Sequence, residues 1–347
     1  MNDKSVSVII PAYNAESSLS RCIESALSQD SDPAEVIVIN DGSTDSTAEV
    51  AKSFGNSITY LEQENAGQGA ARNAGLRVAT GRFIAFLDAD DYWLPEFVGV
   101  CVDFLLRHKE AVAVNTGKIV KLWGGDVMYW PPIPNSKEET VFKPCVLNDF
   151  FDFWAKYDHV KTGTVMIRRE VIEKAGYQRA DLRISQDLEY WGYLATFGEW
   201  GFVPNHLLID DSRSVAAQQG WVEKYKKRRS LCPSVKQWQD RVIPILREED
   251  WDNFCIVRGR VAGGFALNKI LGGNDESAKS IVANYGNQMP PNWSTNLMRQ
   301  GLRAGTLGWK AVCTFIRLRE LLKSSFLYAF PKSSGNIISL LNKLKSS

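Results

Sequence analysis

The stretch FIAFLDADDYW, residues 83 to 93, places three carboxylates directly after an apolar run: Asp88, Asp90 and Asp91. Acidic groups gathered without basic neighbours repel one another, and a bound cation relieves that repulsion. Oxygen ligands with no Cys or His nearby favour Mg²⁺ or Mn²⁺ over Zn²⁺. These ions complete their coordination with water and phosphate oxygens, which suggests a nucleoside diphosphate. Asp also serves in turns, so the D-x-D spacing alone is compatible with a solvated loop.

The segments around this stretch alternate between strand and helix patterns. Residues 6–10 form a short apolar run, typical of a strand buried on both faces, and residues 35–40 (EVIVIN) predict a second buried strand. Leu19, Cys22, Ile23, Ala26 and Leu27 lie between them at helical spacing. The pattern then predicts a short helix at 48–54, a strand at 58–63, a helix at 67–79 and a strand at 83–88. Such alternation predicts an α/β fold whose mostly parallel central sheet is flanked by helices.

Polar residues follow three of these strands. Tyr13 comes after the first, Asp41 after the second and the acidic stretch after the fourth. In open parallel sheets the ligand binds beyond the carboxyl ends of the strands, so we expect these side chains to converge at one edge. A D-x-D at the end of a buried strand in this series indicates a binding site more strongly than it does in isolation.

Five motifs in this order resemble glycosyltransferase family 2, the nucleotide-sugar-dependent enzymes with the GT-A (Rossmann-like) fold. They are VSVIIPAYN at 6–14, EVIVINDGSTDST at 35–47, GQGAARNAGLRVATGRFIAFLDADD at 67–91, GTVMIRREVIEKAGYQ at 163–178 and SQDLEYWGYLATFG at 185–198. The resemblance covers about residues 5–212.

The resemblance implies a role for each of several residues. The base and ribose pocket would be lined by Pro11, Ala12, Tyr13 and Asp41, and Arg72 would face the nucleotide. Asp88 would lie near the ribose and the donor sugar, and Asp90 would bind the metal. Glu16 and Asp91 would be further site residues. The chemistry is reasonable, because a carboxylate accepts from a uracil N–H or a ribose hydroxyl, a tyrosine ring stacks on a base, and phosphate favours arginine. Turn formation and a surface ion pair are the alternatives.

Transfer to a hydroxyl also requires a proton acceptor, and Asp187 is the candidate. It begins a segment in which Leu188, Trp191, Leu194 and Ala195 have helical spacing, so a simple helix N-cap is the alternative. The family motif usually reads Glu-Asp, and here it reads Gln186-Asp187, which keeps the expected base.

The resemblance implies an inverting, metal-dependent transfer of one sugar from a UDP-sugar to an acceptor hydroxyl, with no covalent intermediate, in cell-surface polysaccharide or glycolipid assembly. The Gln-x-x-Arg-Trp motif of processive relatives is missing from the sequence. Two alternatives remain. One is a catalytically inactive carbohydrate- or nucleotide-binding module. The other is a sugar nucleotidyltransferase, although such an enzyme normally has a Gly-rich phosphate loop where this chain has PAYNAE.

Charge divides the chain in two. Residues 1–215 carry a net charge of −11 and residues 216–347 carry +12. We expect a catalytic domain at 1–215, with nucleotide-sugar binding at 1–116 and the acceptor side at 117–215, and a basic, mainly helical region at 216–347. The apolar runs are too short to span a bilayer, and the first residues lack the layout of a signal peptide, which predicts a cytoplasmic protein. Six scattered cysteines without a CxxC pair argue against a zinc site.

The last segment, 299–347, has nine basic residues and one acidic residue. Two apolar helical stripes lie within it: Ala311, Phe315, Leu318, Leu322, Phe326 and Ala329 before Pro331, and Ile337, Leu340, Leu341 and Leu344 after it. Helices of this kind either cap the catalytic domain or lie on an anionic membrane surface, where a carbohydrate or lipid-linked glycan acceptor would be presented. Nucleic acid is not expected as a partner, because it would explain none of the acidic strand ends.

Overall fold

A mixed sheet with helices on both faces organises the first part of the chain. The computed structural model describes residues 5–31, 33, 35–121, 126–132, 143–157, 160–211 and 229–329, with side chains described as far as residue 322. The strands are β1 (Val6–Ala12), β2 (Glu35–Asp41), β3 (Thr59–Gln63), β4 (Phe83–Phe86), β5 (Tyr92–Trp93), β6 (Ala111–Lys121), β7 (Val127–Trp130), β8 (Cys145–Leu147), β9 (Val165–Arg168) and β10 (Glu199–Asp210).

The strand order is β3-β2-β1-β4-β9-β6-β10-β5, with β7 paired to β6 and β8 to β10. The first four strands in this order are parallel to one another. Strand β9 is antiparallel to both β4 and β6, and β10 is parallel to β6. Therefore β1, β2, β3, β4, β6 and β10 all run in one direction, as expected for a mostly parallel sheet, and their carboxyl ends meet at one edge.

The first seven helices flank this sheet, and the last five form a further helical layer. They are α1 (Leu19–Leu27), α2 (Thr47–Lys52), α3 (Gln68–Val78), α4 (Phe97–Arg107), α5 (Phe150–Tyr157), α6 (Arg169–Ala175), α7 (Gln186–Leu194), α8 (Val235–Gln239), α9 (Trp251–Leu271), α10 (Asp275–Tyr285), α11 (Trp293–Arg303) and α12 (Gly305–Ala329). Helix α3 lies close to the sheet because Gly75 lacks a side chain, and a Cβ there would lie 2.6 Å from Cγ2 of Ile9.

One face of the sheet and the helices after residue 229 share a single hydrophobic core. The same buried cluster contains Ile9 and Phe86 of the sheet, Trp191 of α7, Phe254 of α9 and Ile316 of α12. Helix α9 is tied to α5 by Arg260, whose Nη2 donates to the carbonyl of Trp154 at 2.6 Å. The expected domain boundary at residue 215 lies outside the described residues, so that boundary stays a prediction.

Helix α12 has two apolar faces. Trp309, Val312, Cys313 and Ile316 form a buried face, which packs mainly against α11. Ala311, Phe315, Leu318 and Leu322, the part of the predicted stripe with described side chains, lie on an exposed face, where Leu322 is 71% exposed. The stripe at 337–344 lies outside the described residues. In the described part of the chain, no helix combines the length and apolar character needed to cross a bilayer.

Candidate active site

The acidic stretch forms a loop between β4 and β5, and its first carboxylate is paired with an arginine. Nη2 of Arg72, on α3, lies 2.6 Å from Oδ1 of Asp88. The Arg72 side chain is 1% exposed, and neither its Nε nor its Nη1 has a hydrogen-bond partner among the described residues. Buried N–H groups without a hydrogen-bond partner cost free energy. Arg72 therefore has N–H donors at Nε and Nη1 that Asp88 does not use.

The second carboxylate, Asp90, is not neutralised in the same way. Its burial and then the charge of Asp88 raise the pKa of Asp90 to about 6. A carboxyl group with a raised pKa gains most from a nearby cation, because the cation stabilises the ionised form. Asp90 is therefore the member of the loop best prepared for a cation.

The third carboxylate, Asp91, belongs to an internal ion network. Nζ of Lys161 lies 2.8 Å from Oδ2 of Asp91 and 2.8 Å from Oδ2 of Asp210 at the end of β10. Burial alone would lower the pKa of Lys161, but Asp91 and Asp210 outweigh it and raise that pKa above its usual range. Asp91 thus anchors the loop to the neighbouring strands.

The candidate base lies one residue inside a helix rather than at its cap. Ser185, with φ 58° and ψ 26°, is the N-cap of α7, and Asp187 is the second helical residue. Oγ1 of Thr162 lies 3.4 Å from Oδ2 of Asp187, and Thr162 directly follows Lys161. The segment at 161–162 therefore connects the acidic loop to Asp187. The alternative that Asp187 is only a helix cap does not apply, because Ser185 occupies that position.

The predicted nucleotide pocket lies at the ends of β1 and β2. Pro11 and Ala12 are buried in β1, and the Tyr13 side chain that follows is 49% exposed and available for stacking. Glu16 accepts a hydrogen bond from the backbone of Ser46 at 3.0 Å, so it links two loops.

Asp41 is buried, and its carboxylate organises the loop before α3. It accepts from Nε2 of Gln63 at 2.7 Å and from the backbone N–H groups of Ala66 and Gly67 at 2.8 Å each. Gly67 has φ +90°, which favours glycine, and it is the N-cap of the helix that carries Arg72. A carboxylate with this many partners acts chiefly by shaping the pocket, and contact with a nucleotide stays a prediction.

Comparison with known proteins places this arrangement in a family. Residues 7–175 match the model of glycosyl transferase family 2. This part of the chain belongs to glycosyltransferase family 2. An uncharacterized glycosyltransferase of Escherichia coli, YibD, is 47% identical over 111 residues, which are 31% of this chain and 32% of YibD. The chain spans 17% to 37% of the length of curated relatives that it matches at 38% to 47% identity.

Solved structures with the same fold extend over most of the chain. TarS 1-349 of S. aureus in complex with UDP-GlcNAc aligns with a TM-score of 0.55 at 16% identity and covers 92% of each chain. The mannosyltransferase PcManGT from Pyrobaculum calidifontis, in complex with GDP-Man and Mn²⁺, aligns with a TM-score of 0.52 at 17% identity and covers 94% of this chain and 88% of its own. The predicted GT-A fold and the resemblance to family 2 are thereby confirmed.

A divalent cation at the candidate site would have few protein ligands. No cluster of three or more His, Cys, Asp or Glu side chains suited to a metal occurs among the described residues. Mg²⁺ and Mn²⁺ commonly use one or two carboxylates together with phosphate and water oxygens. Asp90 with its raised pKa, next to Asp88, provides a donor set of this kind.

Sequence reasoning missed the residues that connect the site. Lys161, Thr162 and Asp210 are far apart in sequence from the groups they contact, and Trp238 and Arg241 lie beyond the part with family motifs. The only local signal was the segment KTGT at 161–164, whose polar residues directly precede β9.

Proposed function

We propose that the chain is a glycosyltransferase that moves one sugar, with inversion, from a UDP-sugar to an acceptor hydroxyl in a divalent-cation-dependent reaction. The observation that carries this proposal is the grouping of Arg72, Asp88 and Asp90 at one strand end, with Asp187 connected to them through residues 161–162. The donor complexes of TarS and PcManGT support a nucleotide-sugar donor.

Each site residue has its own role in the proposed transfer reaction. Tyr13 stacks on the base, the loop shaped by Asp41 receives the ribose, and Asp88 with Arg72 orients the donor. Asp90 holds the cation, which when bound offsets charge on the departing diphosphate. Asp187 accepts the proton of the attacking hydroxyl, and the second helical position fixes its carboxylate near the positive end of α7. Direct displacement inverts the anomeric carbon without a covalent intermediate.

The test is calorimetric titration of UDP into the wild type and into Asp90→Ala, each with and without Mn²⁺. Wild type should bind UDP more tightly with Mn²⁺ and the variant should lose that gain, because the cation loses its protein anchor. Equal affinity in both proteins would exclude the metal role of Asp90. A panel of nucleotide sugars with Mn²⁺ would identify the donor from the largest rise in unfolding temperature.

Two competing functions give different outcomes in the same assays. A catalytically inactive module would bind a nucleotide sugar but release no nucleoside diphosphate with any acceptor. A sugar nucleotidyltransferase would form pyrophosphate from UTP and a sugar 1-phosphate. The presence of Asp41, Asp88, Asp90 and Asp187 in this chain favours transfer over an inactive module, and PAYNAE in place of a Gly-rich phosphate loop favours transfer over nucleotidyl transfer.

We also propose that the segment 299–347, which contains α12, holds the enzyme at the cytoplasmic face of a membrane, where a lipid-linked or growing glycan acceptor is presented. The exposed face of α12 supports this, since Leu307 is 82% exposed and Leu322 is 71% exposed. Of the nine basic residues after position 298, Arg299 and Arg317 make contacts within the protein, and each of the others adds about 1 kcal/mol of attraction when it lies close to anionic lipid.

A further inference from the structure

The first turn of α7 is contacted by a segment from the helical part of the chain. Nε1 of Trp238, on α8, donates to the backbone carbonyl of Ser185 at 3.1 Å. The guanidinium of Arg241, two residues after α8, donates to both carboxylate oxygens of Glu189, at 2.9 Å from Nε and 2.6 Å from Nη2. These contacts lie on either side of Asp187 in the sequence, two residues before it and two residues after it.

The Trp238 contact holds a backbone conformation that is rare for serine. Ser185 has φ 58°, in the left-handed region, which costs a non-glycine residue about 1 kcal/mol or more. Its carbonyl also accepts the N–H of Glu189 at 3.1 Å, the bond that starts the helix. A second donor on this carbonyl therefore fixes both the turn before α7 and the direction in which the helix begins.

The Arg241 contact fixes the rotation of α7 about its own axis. Glu189 is fully buried, and burial raises the pKa of Glu189 while Arg241 opposes that shift. Arg241 also donates to the carbonyl of Tyr177 at 2.9 Å and lies 3.9 Å from the ring centre of Tyr193. Residues two apart on a helix point about 200° from one another. Because Arg241 holds Glu189 in the protein interior, Asp187 faces the opposite side of α7.

The segment that makes these contacts is itself rigidly held. Ser234 and Gln237 form a capping box that starts α8. The Trp238 ring is fully buried and stacks on Phe254 of α9, with centroids 5.9 Å apart and an angle of 8°. Arg258 of α9 donates to Oε1 of Gln239 at 3.2 Å. A contact can position a catalytic group only if the contacting segment is itself fixed, because a mobile segment would move together with that group.

We propose that Trp238 and Arg241 are positioning residues that hold the first turn of α7, so that the helical part of the chain sets the placement of Asp187. The inference rests on the proposed function, in which Asp187 is the base. It predicts that losing either contact lowers kcat while donor binding is retained, because the donor contacts lie on β1, β2, α3 and the acidic loop.

The test compares two tryptophan variants in the full chain. Trp238→Phe removes the indole donor and keeps a ring that can stack on Phe254. Trp309→Phe is the matched control, since Trp309 is also buried and its Nε1 also donates to a backbone carbonyl at 3.1 Å, that of Asp275, away from α7. Trp238→Phe should lower kcat about tenfold with donor KM unchanged, because small misplacements of a catalytic group are costly, and Trp309→Phe should leave kcat within about twofold.

A structural readout accompanies the kinetics. Backbone amides at 186–190 should exchange faster with deuterium in Trp238→Phe than in Trp309→Phe. Arg241→Gln should also lower kcat, and Arg241→Lys should restore part of it by keeping the charge beside Glu189. Equal kcat and equal exchange in the two tryptophan variants would overturn the inference.

Asp187→Asn separates this inference from the proposed function. If Asp187→Asn loses activity while Trp238→Phe behaves as Trp309→Phe, only the positioning role is wrong. If Asp187→Asn keeps full activity, or the wild type binds no nucleotide, the proposed function is wrong and the positioning role is overturned with it.

Discussion

Nη2 of Arg72 lies 2.6 Å from Oδ1 of Asp88, so the first carboxylate of the acidic loop has its counter-charge inside the protein. The second carboxylate, Asp90, instead has a pKa raised to about 6. The two members of the D-x-D pair thus differ physically, although the sequence alone does not distinguish them. One is an internal ion-pair partner and the other is the candidate cation ligand.

Arg72→Met should destabilise the protein by about 3 kcal/mol or more, because it leaves Asp88 without its partner in a largely buried site. Urea unfolding measures the change. The double variant Arg72→Met with Asp88→Asn should recover part of it. The control Arg77→Met replaces an exposed arginine on the same helix and should change stability by about 0.5 kcal/mol or less. Similar losses in both arginine variants would contradict the ion-pair role.

Asp90→Asn should stabilise the metal-free protein at pH 7.5 by roughly 1–3 kcal/mol, while removing stabilisation by Mn²⁺ with UDP. The pKa of Asp90 in the folded protein, about 6, lies above the ordinary aspartate value of 3.8. Ionised Asp90 therefore costs stability in full above pH 6, and this cost disappears as the pH falls toward 3.8. Thermal unfolding from pH 4 to 8 should show the difference between the two proteins growing with pH. A constant or reversed difference would refute the assignment.

Asp187→Asn should lower kcat by about 10²-fold or more and leave donor affinity unchanged, since a general base contributes on this scale. Helix α7 should survive, because Ser185 and not Asp187 is its N-cap. Steady-state kinetics with circular dichroism checks both points. The control Asp181→Asn replaces an exposed carboxylate that pairs with Arg179 and should keep kcat. Near-normal turnover in Asp187→Asn would mean that another group accepts the proton.

Lys161→Met should destabilise the protein by about 3–5 kcal/mol, because the buried carboxyl groups of Asp91 and Asp210 would lose the cation that they share. Adding Asp91→Asn should recover part of the loss. Chemical denaturation of the single and double variants gives the coupling between the two residues. If the two variants were equally unstable, Lys161 would not be the counter-ion of Asp91.

Leu318→Ser with Leu322→Ser should reduce co-sedimentation with vesicles that contain anionic lipid, and added salt should reduce it further. These residues are on the exposed face of α12, so the packed face with Trp309 and Ile316 is left intact. The control Val127→Ser with Met128→Ser removes two exposed apolar residues from β7. Binding that ignores lipid charge, or that is lost equally in both double variants, would favour a role for α12 within the protein alone.

Sequence patterns predicted most elements of the first 90 residues because β1, β2 and β4 are largely apolar and helical spacing separates the strands. The helix predicted at 67–79 is α3 at Gln68–Val78, and the strand predicted at 35–40 is β2 at Glu35–Asp41. The reversed direction of β9 was not predictable, since a strand buried on both faces reads the same in either direction. The pattern also marked one stripe on α12, but it could not tell which of the two apolar faces is packed.

The strand-end residues of the candidate site could be proposed from the sequence, but the contacts that connect them could not. Asp88, Asp90 and Asp187 lie in motifs, whereas the pairing of Asp91 with Lys161 joins residues 70 positions apart through the packing of separate strands. For Asp41, too, the sequence predicted the position of the residue but not its contacts. Its position was evident, but its bonds to Ala66 and Gly67 depend on a loop conformation that the sequence does not specify.

The contacts of Trp238 and Arg241 have a consequence for chimeric enzymes built by exchanging the region after the acidic catalytic part. A crossover at residue 215, where the composition changes, would replace both side chains that meet α7 with those of a foreign protein. A crossover after Val242 would keep both side chains. The protein that supplies the new helices would then need an aromatic ring at the position of Phe254 to stack on Trp238. The region that can be exchanged therefore begins after residue 242, and it is shorter than the basic region that begins after residue 215.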